Sequence, residues 1–299
     1  MLPMNSIHRE NYPDPINDYL EEVRTLMVSS LEETSLRFLL NDSKNIIGQG
    51  KMLRSRLIFR VGKRSGVARD LLVHAGAAVD MIHAASLLHD DVIDGGLLRR
   101  QEPTFWVKRG IPGAILVGDF LLFKAIEIMC RVEDVRFVHS FVKYTGEVCQ
   151  GESEQELLFR GQSADWSTCV RIARKKTGAL FAFSGGICGG TDESLVNVLT
   201  ESGYLVGTAY QLADDILDAK GDPGLSDKTL GTDEVHAKMT AMCSFPLDID
   251  SVKEIHKLCS TAKKSLESWP KIQEGWKEYM AKDMGPVLQK NVAALEHKT

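Results

Sequence analysis

Apolar residues recur at three- and four-residue spacing along most of the chain, whereas strand-like alternation of apolar and polar residues is scarce. This periodicity is typical of amphipathic helices. It predicts helices at 16–41, 51–65, 69–94, 112–132, 134–162, 166–189, 194–219, 235–246, 250–267 and 272–295. Most of the nine prolines fall near the ends or between these segments, where they leave long stretches free to be helical. The pattern therefore predicts an all-α protein.

The breaks between the predicted helices are short. Gly95-Gly96 and the segments 109–113 and 221–224 have the glycine and proline content of turns rather than the length of domain linkers. No low-complexity segment and no repeat of fixed period is present in the sequence. We therefore expect a single domain over residues 1–299, with a loosely ordered N-terminal segment at 1–15.

Composition narrows the class of protein. A hydrophobic content of 43% and a charged content of 26% suit a globular fold, and a net charge of -5 argues against a nucleic-acid partner. The six cysteines show no C-x-x-C spacing, so we expect reduced and mostly buried thiols. The start of the sequence lacks the features of a secretory signal, and the longest uncharged run, Thr177–Thr191, is too short to span a bilayer. We expect a cytoplasmic protein without a membrane span.

An acidic cluster lies at the end of the predicted helix 69–94. Asp90, Asp91 and Asp94 are spaced so that their three carboxylates share one helical face. Because neighbouring anions repel one another, basic side chains or bound cations must offset them. Ligands that are all oxygen favour magnesium, which keeps several waters and often completes its shell with substrate phosphates. A single cluster of this kind is also typical of a solvated helix face.

A second cluster repeats the same D-D-x-x-D spacing at Asp214, Asp215 and Asp218. Both copies have apolar neighbours, which solvated helix faces seldom have. If the two helices face each other across a cavity, six carboxylates can hold several magnesium ions around one diphosphate. The ions would withdraw charge as the bond between the diphosphate and carbon breaks. The repetition therefore predicts a diphosphate leaving group.

Basic residues near these clusters are candidate phosphate ligands. Lys51 and Arg54 lie three residues apart near a predicted helix start, and Arg99 and Arg100 follow the turn after the first cluster. His83 precedes Asp90 by seven residues, which is two helical turns, so it shares the same face.

Each of these residues also has a structural interpretation. Lys51 and Arg54 alone would be an exposed basic turn, and a lone helical histidine is usually structural. The acidic clusters nearby favour phosphate contacts, whereas His89 points away from them and is interpreted as structural. Charge alone would make three further lysines surface residues: Lys176, Lys228 and Lys238.

The sequence resembles the trans-isoprenyl diphosphate synthases over most of its length. The first aspartate-rich motif of that family is similar to 87–94, and Arg99-Arg100 follows at the family's spacing. Further ordered motifs are the G-K-x-L-R element at 50–54, Pro103-Thr104, 117–121, Gly151-Glu152 with Gln155, Lys176-Thr177 and 210–218. The segment 228–240 keeps the family's spacing of Lys228, Asp233, Lys238 and Thr240.

The resemblance implies a fold, a reaction and a set of site residues. The fold is a bundle of about ten or more mostly antiparallel helices around a deep central cavity, usually in a homodimer. The reaction joins an allylic diphosphate to isopentenyl diphosphate with the help of several Mg²⁺ ions, without a covalent enzyme intermediate. The implied metal ligands are Asp90, Asp91, Asp94, Asp214, Asp215 and Asp218.

The remaining roles follow from the same resemblance. Isopentenyl diphosphate would bind to Lys51, Arg54, His83 and Arg100. The allylic diphosphate would be neutralised by Arg99, Lys176, Lys228 and Lys238, while Thr177 and Gln211 flank the carbocation. The residues implied in catalysis are Asp90, Asp91, Asp94, Lys176, Thr177, Gln211 and Asp214.

The sequence departs from the family pattern at three positions. Ser55 stands where a proline is common, Gln101 replaces a usual glycine after the arginine pair, and Ala237 replaces the glycine before the last loop lysine. None of these changes removes a charged group that the reaction needs. They put local loop geometry in doubt rather than the chemistry.

Two small residues bear on product length. In this family the growing chain passes the positions four and five residues before the first aspartate cluster, here Ser86 and Ala85. Neither is a bulky aromatic residue that would close the cavity early, so we predict a long-chain polyprenyl diphosphate, with geranylgeranyl diphosphate as the alternative product. Deeper residues, Met81, Ile82 and a residue such as Phe123, are candidates for the floor. The small residues could instead serve only close helix packing.

Three other functions remain open. A class I terpene cyclase would share the helical fold and one aspartate-rich motif, but it would not need Lys51, Arg54 and His83 for a second diphosphate. A subunit of a heteromeric synthase could lose acidic ligands, whereas this chain keeps all six. A structural calcium-binding protein fits less well, because calcium sites favour loop carbonyls and varied oxygen ligands.

Overall fold

The computed structural model describes residues 15–39, 47–48, 50–162, 164–220 and 251–293. The segment 1–14, the predicted helix 235–246, Cys243 and the family positions Lys228, Asp233, Ala237, Lys238 and Thr240 lie outside the described residues. The predictions made for them therefore stay predictions.

The described residues form a helical array, which confirms the predicted fold class. The α-helices are α1 (Ile16–Glu32), α2 (Leu53–Ser65), α3 (Arg69–Ile93), α4 (Phe105–Met129), α5 (Val135–Leu158), α6 (Trp166–Ala173), α7 (Ala179–Gly186), α8 (Glu193–Lys220), α9 (Ser251–Lys264), α10 (Pro270–Tyr279) and α11 (Gly285–Ala293). Helix α3 packs against α1, α2 and α4, and α8 packs against α7, α9 and α11. Both acidic clusters thus lie on central helices.

The predicted helices 166–189 and 272–295 are each divided by a π-helical segment, and two other helix boundaries differ from the prediction by seven residues or more. Helix α1 ends at Glu32 instead of residue 41, and the hydroxyl of Thr34 donates to the carbonyl of Leu31 just beyond that end. Helix α4 begins at Phe105, seven residues early, but it is broken at Gly110, whose φ of 79° is not helical. Glycine tolerates this conformation. The structure therefore has one additional helical turn before Gly110, where the sequence pattern predicted a turn and no helix.

A π-helical segment, Arg174–Gly178, joins α6 to α7 and carries two of the predicted site residues, Lys176 and Thr177. Its backbone packs closely on α8, because a Cβ atom at Gly207 would lie 2.7 Å from the Cα of Gly178. Single π-helical turns within α-helices are frequent at functional sites, because they change the direction of the side chains that follow. The segment brings Thr177 beside Gln211 of α8.

A short hairpin, not predicted from the sequence, connects α3 to α4. Strands β1 (Leu98–Arg99) and β2 (Glu102–Pro103) pair antiparallel across Arg100 and Gln101, whose φ angles are 53° and 65°. Two consecutive residues with positive φ form a type I′ turn, whose backbone twist matches that of the two strands. Glycine is favoured in this turn. The unusual Gln101 therefore occupies a position where its side chain costs backbone strain.

Helix α3 is apolar enough to resemble a membrane span. By length and composition it is the one candidate among the described helices, with a mean hydropathy of 1.5 over its most apolar 18-residue window. However, 72% of that window is buried inside the protein, which is how the core helix of a globular protein looks. Asp80 lies in the middle of α3, so this helix does not contain the longest uncharged run of the sequence.

The thiols only partly match their prediction. None of the five described cysteines forms a disulfide, but Cys130 and Cys149 are exposed, whereas Cys169 and Cys188 are buried and Cys259 is half-buried.

An ionic network joins α2 to the C-terminal helices. Asp283, in the π-helical segment Met280–Met284, accepts from Arg56 at 2.9 Å and from Arg60 at 3.0 Å, and Arg60 also contacts Glu278 at 2.8 Å. The Arg60 and Asp283 side chains are each only 2% exposed. A buried pair with such geometry fixes the position of the helix that follows it, because breaking it would leave a charge without compensation.

Candidate active site

A cavity of about 750 Å³ lies between α2, α3, α5 and α8, and it collects almost all of the predicted site residues. Both acidic clusters reach it, from α3 and from α8, and the basic residues reach it from the start of α2 and from the hairpin. The predicted residues that line the cavity are Lys51, Arg54, His83, Asp90, Asp91, Asp94, Arg99, Arg100, Lys176, Thr177, Gln211, Asp214 and Asp215.

One predicted ligand lies elsewhere. Asp218 is buried, 5% exposed, but it does not belong to the residues that line the cavity. Successive helical residues point about 100° apart, and here Leu217 rather than Asp218 continues the cavity-facing side of α8 below Asp214. Two of the three carboxylates of the second cluster thus belong to the described lining of the cavity, and the ligand role of Asp218 stays a prediction.

The first acidic cluster is already partly neutralised. Arg99 donates to both oxygens of Asp91, at 2.7 to 3.1 Å, from the hairpin strand that follows the cluster. Burial lowers the pKa of Arg99, but the carboxylates of Asp91, Asp90 and Asp94 raise it above its ordinary value. Asp91 thus holds a cation at the edge of the cluster, while Asp90 and Asp94 face the same space.

Lys176 supplies a second cation to this cluster. Its ammonium group lies 2.6 Å from Glu152 and donates to the side-chain carbonyl of Gln155 at 3.1 Å, both on α5. Burial lowers the pKa of Lys176, but the negative charges of Glu152, Asp90 and Asp94 raise it well above its ordinary value. The lysine is therefore a permanent positive charge between α5 and the first acidic cluster.

A hydrogen-bonded chain crosses from the π-helical segment to the second cluster. The hydroxyl of Thr177 donates to the side-chain carbonyl of Gln211 at 2.5 Å, and the amide of Gln211 donates to Asp215 at 2.7 Å. Each bond orients the next group, so the Gln211 dipole has one defined direction. Its oxygen and the Thr177 hydroxyl lie in the cavity wall, where an electron-poor carbon could be stabilised.

A second group of cations lies at the other side of the cavity. Arg54 is buried, its guanidinium lies 4.8 Å from the centre of the Phe181 ring, and its Nε has no hydrogen-bond partner among the described residues. Lys51 and Arg100 are exposed at the mouth. Gly50, with a φ of 94°, lets Arg100 approach, because a Cβ there would lie 2.5 Å from its Nη2. A buried guanidinium that lacks acceptors is a strong anion ligand.

His83 lies among these cations. Burial lowers its pKa well below the ordinary value, and the positive charges of Arg54, Arg99 and Arg100 lower it further. The imidazole is therefore neutral at neutral pH. It can donate one N–H bond to an anion without adding charge to the site.

The donor set fits magnesium. Asp90, Asp94, Asp214 and Asp215 offer carboxylate oxygens to one cavity from two helices. Among the described side chains, no group of three or more carboxylates, histidines or cysteines is already arranged to hold a metal ion. Open carboxylate faces suit Mg²⁺, which keeps waters and takes oxygens from substrate phosphates rather than filling an all-protein cage.

Two polar features of the cavity were missed by the sequence patterns. Asp80 lines it, accepts a hydrogen bond from Ser55 at 2.5 Å, and has a pKa raised to about 6 by burial. The sequence feature that could have indicated Asp80 is its position as a lone charge in an apolar helix. Lys290 and Asn291 of α11 also line the cavity, without any motif around them.

The apolar end of the cavity matches the prediction in part. Ala85, Ser86 and Ile82 line it as expected, whereas Met81 points toward α1 and lies near the hydroxyl of Ser30. Phe123 is 69% exposed and does not line the cavity, while its neighbour Leu122 does. The proposed Phe123 floor is therefore wrong, because the adjacent helical position faces inward.

Comparison with known proteins identifies the family of the chain. The family model of polyprenyl synthetases matches residues 38–275. The heptaprenyl diphosphate synthase component 2 of Bacillus subtilis (strain 168) is 31% identical over 228 residues, 75% of this chain and 66% of that protein. The geranylgeranyl diphosphate synthase of Methanosarcina mazei is 31% identical over 199 residues, 64% of this chain and 61% of that protein. The matches thus span about two thirds or less of these relatives.

A solved structure supports the fold. The geranyltransferase from Helicobacter pylori, complexed with magnesium and isoprenyl diphosphate, superposes with a TM-score of 0.72 at 20% identity, covering 91% of this chain and 98% of that one. At this identity the likeness concerns the fold alone.

Proposed function

The chain belongs to the polyprenyl synthetase family, and on that basis we propose that it is a magnesium-dependent prenyltransferase that condenses isopentenyl diphosphate with an allylic diphosphate. One observation carries the proposal. Two acidic faces and two separate groups of cations line a single cavity, which is the arrangement that two diphosphate substrates require. A protein that binds one diphosphate has no need of the second group.

Each side of the cavity would bind one substrate. Asp90, Asp94, Asp214 and Asp215 would hold Mg²⁺ on the allylic diphosphate, with Arg99 and Lys176 beside them. Asp91 and Asp218 stay proposed ligands. Asp91 would have to exchange its hydrogen bonds with Arg99 for a bond to Mg²⁺. Lys51, Arg54, His83 and Arg100 would bind isopentenyl diphosphate. The magnesium ions would supply positive charge to the departing diphosphate.

The side chains assist a reaction of three bond changes. The C1–O bond of the allylic substrate breaks and its electron pair leaves with the diphosphate. The double bond of isopentenyl diphosphate attacks C1, and a proton then leaves the adduct to the released diphosphate. Thr177 and Gln211 would place oxygens beside the cation, and the buried cavity would exclude water that could trap it.

Consumption of isopentenyl diphosphate tests this proposal. Purified protein, magnesium and an allylic primer should consume it, and chelation of the metal should stop the consumption. If no primer supports consumption, the stand-alone synthase fails, and a terpene cyclase or a subunit that needs a partner takes its place. The Bacillus subtilis relative is named component 2 of a heptaprenyl diphosphate synthase, which supports the alternative of a subunit that needs a partner. The cytoplasmic location stays a prediction.

The product is proposed to be a polyprenyl diphosphate longer than farnesyl. Support comes from Ala85 and Ser86, small side chains in the wall below the first acidic cluster. Geranylgeranyl diphosphate stays the alternative, since Leu122 also lines this end.

Ser86→Phe is expected to shorten the product. A phenyl ring would fill the cavity below Asp90, so elongation should stop at fewer isoprene units. Mass analysis of the products measures the change, and Ser86→Ala, which keeps the space, should leave the length unaltered. An unchanged product from Ser86→Phe would show that the chain takes another path.

A homodimer is proposed from the exposed side of α4. Four apolar side chains on this side of the helix form what we call the α4 face: Ile111, Ile115, Leu116 and Phe123. Their side chains are 41–69% exposed. Large exposed apolar side chains grouped on one helix are typical of interfaces. A second copy of the chain would cover them in a symmetric pair.

Leu116→Glu is expected to convert the dimer to a monomer. A charge at the centre of an apolar interface would be buried without a partner, which is strongly unfavourable. Sedimentation analysis measures the mass, with Lys257→Glu on the exposed side of α9 as the control. A wild-type chain that sediments as a monomer would contradict the homodimer and favour a heteromeric partner.

A further inference from the structure

The C-terminal helix α11 contributes to the cavity although it lies beyond the residues that the family model matches. That match ends at residue 275, whereas Lys290 and Asn291 line the cavity. Asn291 is buried, and Lys290 is exposed at the mouth. Lys290 forms no ion pair with another described residue, so its charge is available to a ligand.

The position of α11 is fixed relative to one side of the cavity. Arg56 links the two regions directly, because its Nε donates to the carbonyl of Lys51 at 2.8 Å and its Nη1 donates to Asp283 at 2.9 Å. Arg60, one turn further along α2, binds the second oxygen of Asp283 at 3.0 Å. The segment that leads into α11 is therefore held to the same residues that present Lys51 and Arg54.

Helix length then carries Lys290 to the mouth. Lys290 lies seven residues after Asp283, which corresponds to roughly 10 Å of helix. Val287 and Leu288 are buried between them and hold α11 against the protein. The lysine thus lines the same cavity as Lys51 and Arg54, at the end of a helix whose start is tied to them through Arg56.

The charge balance distinguishes the two sides. Arg99 and Lys176 are already paired with Asp91 and Glu152, and the carboxylates on that side require metal ions. The other side contains the buried Arg54, the neutral His83 and the exposed Lys51 and Arg100, against the single carboxylate of Asp80 near Arg54. An additional cation there strengthens binding of a diphosphate that has no metal of its own.

We propose that Lys290 is a further ligand of the isopentenyl diphosphate subsite, held in place by the Asp283–Arg56 link to Lys51. This rests on the proposed function, because the subsite is defined by that substrate. Lys290 contacts the diphosphate of the second substrate and leaves the allylic diphosphate to the acidic clusters.

Binding of isopentenyl diphosphate alone tests the proposal without turnover. Calorimetric titration of Lys290→Ala should give a Kd about tenfold above the wild-type value, the loss expected for one charge-assisted contact. Lys290→Arg should return to within about twofold, since it keeps the charge. Lys277→Ala, which removes an exposed lysine of α10 outside the cavity lining, should bind like the wild type.

Steady-state kinetics gives the second readout. Lys290→Ala should raise KM for isopentenyl diphosphate, while kcat and KM for the allylic primer stay within about twofold. An unchanged Kd, or an equal increase in both KM values, would overturn the proposal. If the wild type itself binds no isopentenyl diphosphate, the proposed function fails instead, so the two failures are distinguishable.

Discussion

Asp90→Ala is expected to reduce kcat by about a thousandfold, the largest effect on activity among the changes considered. The residue offers an oxygen to the cavity from α3, and its negative charge contributes to the raised pKa of Lys176. Its loss would remove a proposed metal ligand at the point where the proposed diphosphate leaves. Single-turnover measurement of isopentenyl diphosphate incorporation, with saturating magnesium, tests this.

A matched control lies on the same helix. Asp70→Asn changes an exposed carboxylate in the first turn of α3, where it touches neither cavity nor substrate, so activity should stay near the wild-type value. Circular dichroism should show that both variants keep the helical fold. Activity of Asp90→Ala within tenfold of the wild type would show that the first cluster does not hold an essential metal.

Asp283→Ala is expected to cost about 3–5 kcal/mol of unfolding free energy. The carboxylate is 2% exposed and accepts from both Arg56 and Arg60, and Arg60 is equally buried. Its removal would take one carboxylate from the buried guanidinium of Arg60, which also contacts Glu278 at 2.8 Å. Urea unfolding followed by circular dichroism measures the loss.

The exposed end of the same network supplies the control. Glu274 contacts Arg64 at 2.7 Å, but it is 64% exposed. Glu274→Ala should therefore cost less than about 1 kcal/mol, because solvent screens such a pair. Equal effects of the two substitutions would mean that burial does not decide the strength of this network.

The predicted site residues that the structure brings together in one cavity are mainly those placed by local periodicity. The spacing of Asp90 and Asp94 puts this pair on one helical face whatever the rest of the chain does, whereas Asp214 and Asp215 are adjacent and both face the cavity because of how α8 packs. Since both helices are central, the two faces meet in one cavity. The basic residues near Lys51 and Arg100 followed because their motifs lie next to turns that return to that cavity.

The structure differs from the pattern-based expectation where tertiary packing decides the direction of a side chain. Periodicity alone could not choose between Leu122 and Phe123, or between Leu217 and Asp218, because each pair differs by a single helical step. The hairpin at 98–103 has no alternating pattern, and its turn places Gln101 where glycine would be expected. Lys290 has no motif at all, and only its position in space connects it with Arg54.

Product analysis by mass tests the central claim most directly. Purified protein would be incubated with magnesium, labelled isopentenyl diphosphate and, separately, allylic primers of increasing length. The proposed function predicts incorporation into a single prenyl diphosphate product longer than farnesyl, lost on chelation and in Asp90→Ala. No incorporation with any primer, in protein that is folded and supplied with magnesium, would contradict a synthase that acts alone.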